Sequence, residues 1–512
     1  MAEFIAILDF GSQYTQLIAR RVRENRVYCE ILRHDTPAAE LSRLPLKGVI
    51  LSGGPAGVYE NEAPRCDGGI FDLGVPVLGI CYGMQVACEA MGARVTPTRT
   101  REYGATTVEI MADDPLFEGV DRKTLVWMSH GDRVEELREP FVTTARSASS
   151  PHAAVWHRES DFRGLQFHPE VTHTAQGREI IRNFLLNVCD CARDWSLSQF
   201  TREQVAELRE NLGDRHVVCA LSGGVDSSVV AVLLHKAIGD RLHCIFVDNG
   251  VLRSGEREQV VNTFRDHLHI DLRLVDAADV FLRNLEGVVD PEEKRKRIGH
   301  TFIEVFRDEA SALNGVELLA QGTLYPDVIE SQSAFGGPSA TIKSHHNVGG
   351  LPEELGFQLV EPLRFLFKDE VRAIGKELGL PAEIVERQPF PGPGLAIRVI
   401  GEVTRERLAM LREADAIVQE EIRRYNDYPR IWQSFAVLLP VQTVGVMGDQ
   451  RTYENVVALR VVESTDGMTA DWVYLPHEIL SRISGRISNE VTGVNRVVLD
   501  ISSKPPSTIE WE

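Results

Sequence analysis

Twice along this chain a short apolar run ends in a glycine-rich turn and continues as a helix-forming segment, and that unit constrains the fold more than any other feature. The first is VPVLGICYGMQVACEAMG (Val75–Gly92) and the second is HVVCALSGGVDSSVVAVLLHKAIG (His216–Gly239). A buried strand, a tight turn and a helix make up half of a βαβ crossover, so a sheet assembled from such units is mostly parallel and covered by helices. Functional groups of such sheets gather beyond the carboxyl ends of the strands. FIAILDFG, GVILSGGP and GLQFHPE, all before about residue 188, also read as buried strands ending in turns, and LHCIFVDNG, LRLVDA and ELLAQGT continue the pattern after the second unit.

At 512 residues the chain is too long for one core and divides into about three domains. The expected class is α/β: two doubly wound, mostly parallel-sheet domains, residues 1–188 and 189–386, followed by a smaller α+β C-terminal domain, residues 387–512. A polar stretch near Cys189–Gln204 separates the first two. RQPFPGPGLAIR (Arg387–Arg398) carries three prolines and two glycines and reads as a rigid connector to the third. Beyond it, the strand-like FAVLLPV, TVGVMG, NVVALRVVES and NRVVLDIS accompany a helix-like ILSRISGRISNEVTG.

The formal charge of −20 excludes a nucleic-acid or anionic-membrane surface, which needs a large basic face. Glu3 and Asp9 occupy positions where a signal peptide needs basic residues, and no apolar run approaches the roughly 18 residues of a membrane span. The eight cysteines include no CxxC pair and none beyond Cys244, which argues for reduced thiols and a cytoplasmic protein rather than a zinc site or disulfide framework.

In the first unit, Gly79 and Gly83 flank Cys81 in the pattern of a nucleophile elbow. The turn thrusts the thiol out above the sheet, beside a helix N-terminus that favours thiolate over a free thiol of pKa about 8.5. Cys81 is therefore the candidate nucleophile, whereas Cys88 is read as packing. FHPE (Phe167–Glu170) places His168 and Glu170 two residues apart, on one face of an extended segment, as base and orienter. The backbone N–H groups of Tyr82 and of Gly53 or Gly54 are the natural oxyanion donors.

In the second unit, Gly223 and Gly224 turn backbone N–H groups toward an anion, Ser222, Ser227 and Ser228 add hydroxyls, and the helix beginning near Ser228 directs its dipole there. The lysine of a Walker A loop is absent. Asp226 stands where a carboxylate holds Mg²⁺ instead.

The SGGVDSS loop resembles that of the ATP pyrophosphatases, which cleave ATP between the α and β phosphates to adenylylate an acceptor. GICYG with the downstream HPE resembles the class I glutamine amidotransferase family over residues 4 to about 188, which implies a glutamyl thioester on Cys81 and release of ammonia. The order of the two, together with IKSHHNVGGLP, PFPGPGLAIR and SKPPSTIEWE, resembles the glutamine-hydrolysing GMP synthases along nearly the whole chain. That resemblance implies ATP, glutamine and xanthosine monophosphate (XMP) as substrates, Mg²⁺ as cofactor, and a homodimer formed through the C-terminal domain. It implies that Ser222, Gly223, Gly224, Val225, Asp226, Ser227, Ser228 and Lys343 bind ATP. Asp226 and Asp369 are the implied metal ligands, and Arg297, Gln433, Lys504, Ile509 and Glu510 the implied XMP contacts.

Plainer roles stand beside these: Lys294–Arg297 as a solvated basic helix face, and Asp369 as a carboxylate at a helix N-terminus. Gln388 replaces the usual histidine before PFPG, and Ser507 the usual alanine of the tail. Asparagine synthetase needs an N-terminal cysteine where this chain has Ala2, and glutamine-dependent NAD synthetase lacks the GxCxG and HPE pair. A nucleotide-binding regulator with an inert glutaminase is the alternative of a different class.

Overall fold

The computed structural model describes residues 3–60, 62–313, 315–325, 327, 357–425, 427–447, 450–464, 467 and 469–512. These fall into two compact units, one up to Phe200 and one from Thr201 onward.

In the first unit nine strands among the described residues form one sheet in the order β2-β1-β3-β4-β9-β8-β7-β5-β6. Its parallel half consists of β1 (Phe4–Asp9), β2 (Tyr28–Arg33), β3 (Leu46–Leu51), β4 (Val77–Ile80) and β9 (Phe162–Leu165). β1, β3 and β4 are near-continuous apolar runs because helices cover both faces. The other half is antiparallel: β5 (Arg94–Ile110), β6 (Lys123–Glu136), β7 (Phe141–Arg146) and β8 (Ala154–His157). Along the first half of β6, buried residues such as Val126 and Met128 alternate with more exposed ones, the signature of a sheet with one wet face. The core of this unit joins Phe4, Leu8, Val49, Leu51, Val77, Met84 and Phe162.

Two close approaches fix the turn at the end of β4. A Cβ on Gly83 would stand 2.4 Å from the Leu51 carbonyl oxygen, and one on Gly79 would stand 2.7 Å from the Met84 nitrogen. Only glycine lets the helix Tyr82–Ala90 lie this close to β3 and β4. The obstacle at Gly83 is backbone, which cannot rotate away. Gly83→Ala is therefore expected to destabilise the first unit by about 3 kcal/mol, lowering its melting midpoint by ~10 °C in calorimetry; a midpoint within 2 °C of wild type overturns the assignment. The helix ends as the sequence suggests, with Gly92 at φ +84° and the Ala93 amide donating to the Cys88 carbonyl at 2.8 Å.

Among the described residues the second unit carries a five-stranded parallel sheet in the order β12-β11-β10-β13-β14. Its strands are β10 (His216–Ala220), β11 (Leu242–Asp248), β12 (Leu272–Asp276), β13 (Val316–Ala320) and β14 (Gln358–Val360). The helix after β10 runs Val225–Ile238, beginning three residues earlier than the sequence suggests because Gly224 already has extended geometry (φ −79°, ψ 162°) and serves as the N-cap. Further along, β15 (Gln433–Met447) and β16 (Gln450–Glu463) form a long antiparallel pair extended by β17 (Asp471–Trp472), and β18 (Val494–Leu499) runs parallel to β16.

One apolar cluster runs through this unit from Val218 and Ile245 through Leu395 and Val399 to Leu438, Val457 and Ile483. The proline- and glycine-rich stretch is thus not an exposed connector over its whole length. Its Leu-Ala-Ile portion folds as a buried 3₁₀ turn, Gly394–Arg398, and Gly394 (φ +62°) presses against the Val251 carbonyl, where a Cβ would stand 2.4 Å from the oxygen.

The basic run on the helix Pro291–Ser311 is also not uniformly solvated. Lys294 is fully buried; its Nζ donates to the carbonyls of Val399 (2.7 Å) and Ala396 (3.3 Å) and pairs with the Glu512 carboxylate. Burial draws the Lys294 pKa down, and the Glu512 carboxylate opposes that shift. A lysine tolerates such burial because all its donors find acceptors.

Candidate active sites

Cys81 sits between β4 and the helix Tyr82–Ala90 at φ +52°, ψ −108°, a conformation that costs about 1–3 kcal/mol in a non-glycine residue. The residue lies between Gly79 and Gly83, each packed against backbone too closely for a Cβ. The thiol faces the Ser129 carbonyl (Sγ to O 3.7 Å), and Gln166 Nε2 donates to it at 3.8 Å. His168 Nδ1 and Glu170 Oε1 are 2.7 Å apart, which leaves Nε2 as the nitrogen available for proton exchange with the nearby Cys81 sulfur. All three side chains are buried. Burial alone would lower the His168 pKa, yet the Glu170 carboxylate and the Cys81 sulfur outweigh it and hold the imidazole well above its ordinary value. The site therefore favours a protonated imidazole beside the sulfur.

The route by which His168 and Glu170 meet differs from the extended segment suggested by the sequence. β9 ends at Leu165, and residues 169–170 form a turn. That turn is pinned from several sides. His168 N–H donates to the Trp127 carbonyl (3.0 Å), Thr174 Oγ1 donates to the His168 carbonyl (2.6 Å), and Arg21 Nε donates to the Glu170 carbonyl (3.2 Å). Tyr14 sets its ring edge-on to the imidazole at 5.3 Å. Arg21 and Tyr14 come from the helix Thr15–Glu24 and its N-cap, and Ser129 comes from β6, so none of these three belongs to a readable motif.

Of the two glycines named as oxyanion donors, Gly53 lies at the triad: a Cβ there would stand 3.2 Å from His168 Cε1. Gly54 instead faces the Phe10 carbonyl and the Tyr82 ring. Tyr82 is the first residue of its helix, where backbone N–H groups have no intrahelical acceptor. Cys88, on the same helix, is fully buried, and burial pushes its thiol pKa up.

In the second unit Ser222–Ser228 wrap the end of β10. Ser227 Oγ accepts from the Ser222 amide (3.1 Å), Ser228 Oγ donates to the Gly224 carbonyl (2.7 Å), and Gly223 takes φ +73°. Asp226 pairs through Oδ2 with Lys368 Nζ at 2.5 Å, while its Oδ1 is buried and accepts no hydrogen bond among the described residues. A buried, unpartnered carboxylate oxygen beside a phosphate-type loop fits a cation ligand. Asp369 stands in the first turn of the helix Lys368–Glu377, the neighbour of the residue that reaches Asp226. Lys368 was not singled out by sequence, because nothing in LFKDEVR shows which side chain points back across 142 positions. Lys343 and the rest of IKSHHNVGG lie outside the described residues.

Gln433 and Glu510 are brought together: Gln433 Nε2 donates to Glu510 Oε1 at 2.7 Å, and the fully buried Arg398 grips the same carboxylate at 2.8 and 3.1 Å. Ile509 packs against Phe435, Val437 and Ala458. Lys504 donates to the Gly467 carbonyl (2.8 Å). Arg297 is turned to Glu293 (2.7 Å) and the Asn284 carbonyl (3.1 Å), and it takes no part in the Gln433–Glu510 hydrogen bonds. Gln388, in place of the usual histidine, accepts from both the amide and the hydroxyl of Ser434 (2.9 and 3.0 Å).

An elbow cysteine with a His–Glu pair over a parallel sheet, on one chain with a serine- and glycine-rich phosphate loop, defines an ATP-dependent glutamine amidotransferase ligase. Comparison with known families agrees: residues 6–188 match glutamine amidotransferase class-I, 196–297 match NAD synthase, and 420–511 match the GMP synthase C terminal domain. Among curated relatives, a GMP synthase (glutamine-hydrolyzing) from Caldanaerobacter subterraneus subsp. tengcongensis is 58% identical over 510 residues, covering 100% of this chain and 99% of that protein. Those of Maridesulfovibrio salexigens and Nitratidesulfovibrio vulgaris are 58% and 59% identical, each over 99% of both chains. The chain belongs to the glutamine-hydrolyzing GMP synthase family.

Proposed function

We propose that the chain makes GMP from XMP in two linked half-reactions, with the residues above in the following roles. Cys81 attacks the side-chain amide of glutamine, and the oxyanion that forms is held by the N–H groups of Gly53 and Tyr82. His168, kept protonated by Glu170, delivers its proton to the departing ammonia. Water then hydrolyses the thioester to glutamate. At the second site the C2 oxygen of XMP attacks the α-phosphorus of ATP and expels pyrophosphate. Ammonia displaces AMP from the adenylated intermediate and leaves GMP.

The loop Ser222–Ser228 cradles the phosphates of ATP, with Lys343 as a further contact. Mg²⁺, held by Asp226 and Asp369, neutralises phosphate charge when bound. Gln433, Lys504, Ile509, Glu510 and Arg297 hold the xanthine nucleotide. The domain order accompanying this reading is a glutaminase over 1–188, an adenylylating domain over 189–386 and a nucleotide-binding, dimerising domain over 387–512. Exposed Val444, Val446 and Tyr453 on the β15–β16 pair support a homodimer through that last region. All eight cysteines lie among the described residues, seven of them buried. Among the described residues no helix is long and apolar enough to cross a membrane.

The observation that carries the reading is the assembled Cys81–His168–Glu170 site on the same chain as the phosphate loop. Chromatographic product analysis with ATP, Mg²⁺ and XMP tests it. Equal amounts of GMP and AMP are expected with either glutamine or ammonium; AMP without GMP would mean another acceptor, and neither product would favour the regulator.

A further inference from the structure

The peptide at the centre of the phosphate loop is held from outside the loop. The Gly223 carbonyl accepts from Arg387 NH1 at 2.9 Å, and the other arm of the same guanidinium, NH2, meets Glu256 Oε1 at 2.5 Å. The second oxygen of Glu256 accepts from the Arg253 amide at 3.0 Å, and the Glu256 side chain is almost fully buried. In a planar trans peptide the C=O and the following N–H point in opposite directions. Anchoring the Gly223 oxygen on one side thus turns the Gly224 N–H to the other, toward the Ser222 hydroxyl 3.4 Å away. Gly223, at φ +73° and with no side chain, has little else to fix its plane.

We propose that Arg387 is a positioning residue for adenylylation, acting through the Gly223–Gly224 peptide rather than by touching phosphate. Its charge is neutralised by Glu256, whereas a guanidinium meant for an anion keeps its fork free. The two residues that follow it serve the other substrate. Gln388 holds Ser434, and the Pro389 carbonyl accepts from Gln433 Nε2 at 3.1 Å, so three consecutive residues set the phosphate loop and the start of β15 in one frame. Phe390 completes that frame, with the guanidiniums of Arg253, Arg387 and Arg398 within 4.6–5.4 Å of its ring centre. The inference rests on the reading of Ser222–Ser228 as the ATP site.

The test uses the full chain with ammonium as nitrogen source and follows AMP release, varying ATP at saturating XMP and then the reverse. Arg387→Lys keeps the charge but cannot hold oxygen and carboxylate in one plane. It is expected to raise the KM for ATP ~10-fold or more, with the KM for XMP within about threefold of wild type and the melting midpoint little changed. Glu256→Gln should give a smaller shift in the same sense, and the double variant no more than the larger single effect. A folded Arg387→Lys protein with an unchanged KM for ATP overturns the proposal, and so does an equal rise in both KM values. If that variant does not fold, Glu256→Gln decides by the same two constants. Absence of AMP formation by the wild-type chain overturns the proposal together with the ATP-site reading beneath it.

Discussion

Cys81→Ala leaves ammonium-driven GMP synthesis within about twofold of wild type and removes glutamine-driven synthesis, by about six orders of magnitude as for other nucleophile deletions. Alanine keeps the Cβ, so the strained backbone at φ +52° is neither relieved nor worsened, and Gly79 and Gly83 still hold the turn. The change removes only the sulfur to which Gln166 donates and whose charge helps raise the His168 pKa. Parallel assays with glutamine and with ammonium, on protein of matched melting midpoint, make the comparison. Loss of both activities would mean that Cys81 serves the synthetic site as well, contrary to the division of labour proposed above.

Asp226→Ala has the opposite signature: AMP formation falls by about a thousandfold or more with either nitrogen source, while Cys81 still reacts with a thiol-directed glutamine analogue. Among the described residues the buried Oδ1 atom accepts no hydrogen bond, an arrangement with no structural benefit of its own and a clear use if a cation completes it. The Oδ2 bond to Lys368 does not make Asp226 a stability device. Lys368 is about half exposed, so the pair is screened and worth little, and the variant should melt near wild type. Isothermal titration of Mg²⁺–ATP against both proteins separates lost binding from lost chemistry. Undiminished AMP release from Asp226→Ala would rule the carboxylate out of the reaction.

Local chemistry made the two βα units legible before any coordinates. An apolar run of strand length has to be buried, glycines at Gly79, Gly83, Gly223 and Gly224 permit turns that other residues resist, and a helix N-terminus follows in each case. For that reason Cys81, the phosphate loop and the parallel order of β1, β3, β4, β10 and β11 could be anticipated. The antiparallel half of the first sheet was less apparent, because β5 and β6 are long, half-solvated strands whose alternating pattern carries no turn motif tied to function.

The sequence by itself determined which residue types stand at strand ends, and so the candidate nucleophile, the candidate phosphate loop and the class of reaction. Tertiary structure alone decided what meets them. Lys368 reaches Asp226 across 142 positions, Arg387 reaches Gly223 across 164, Arg398 meets Glu510 across 112, and Lys294 is buried where the helical charge pattern suggested solvent. The physical reason is range: turn and helix preferences are set by neighbours a few positions away, whereas a buried charge takes its partner from whichever distant segment the packed core brings beside it.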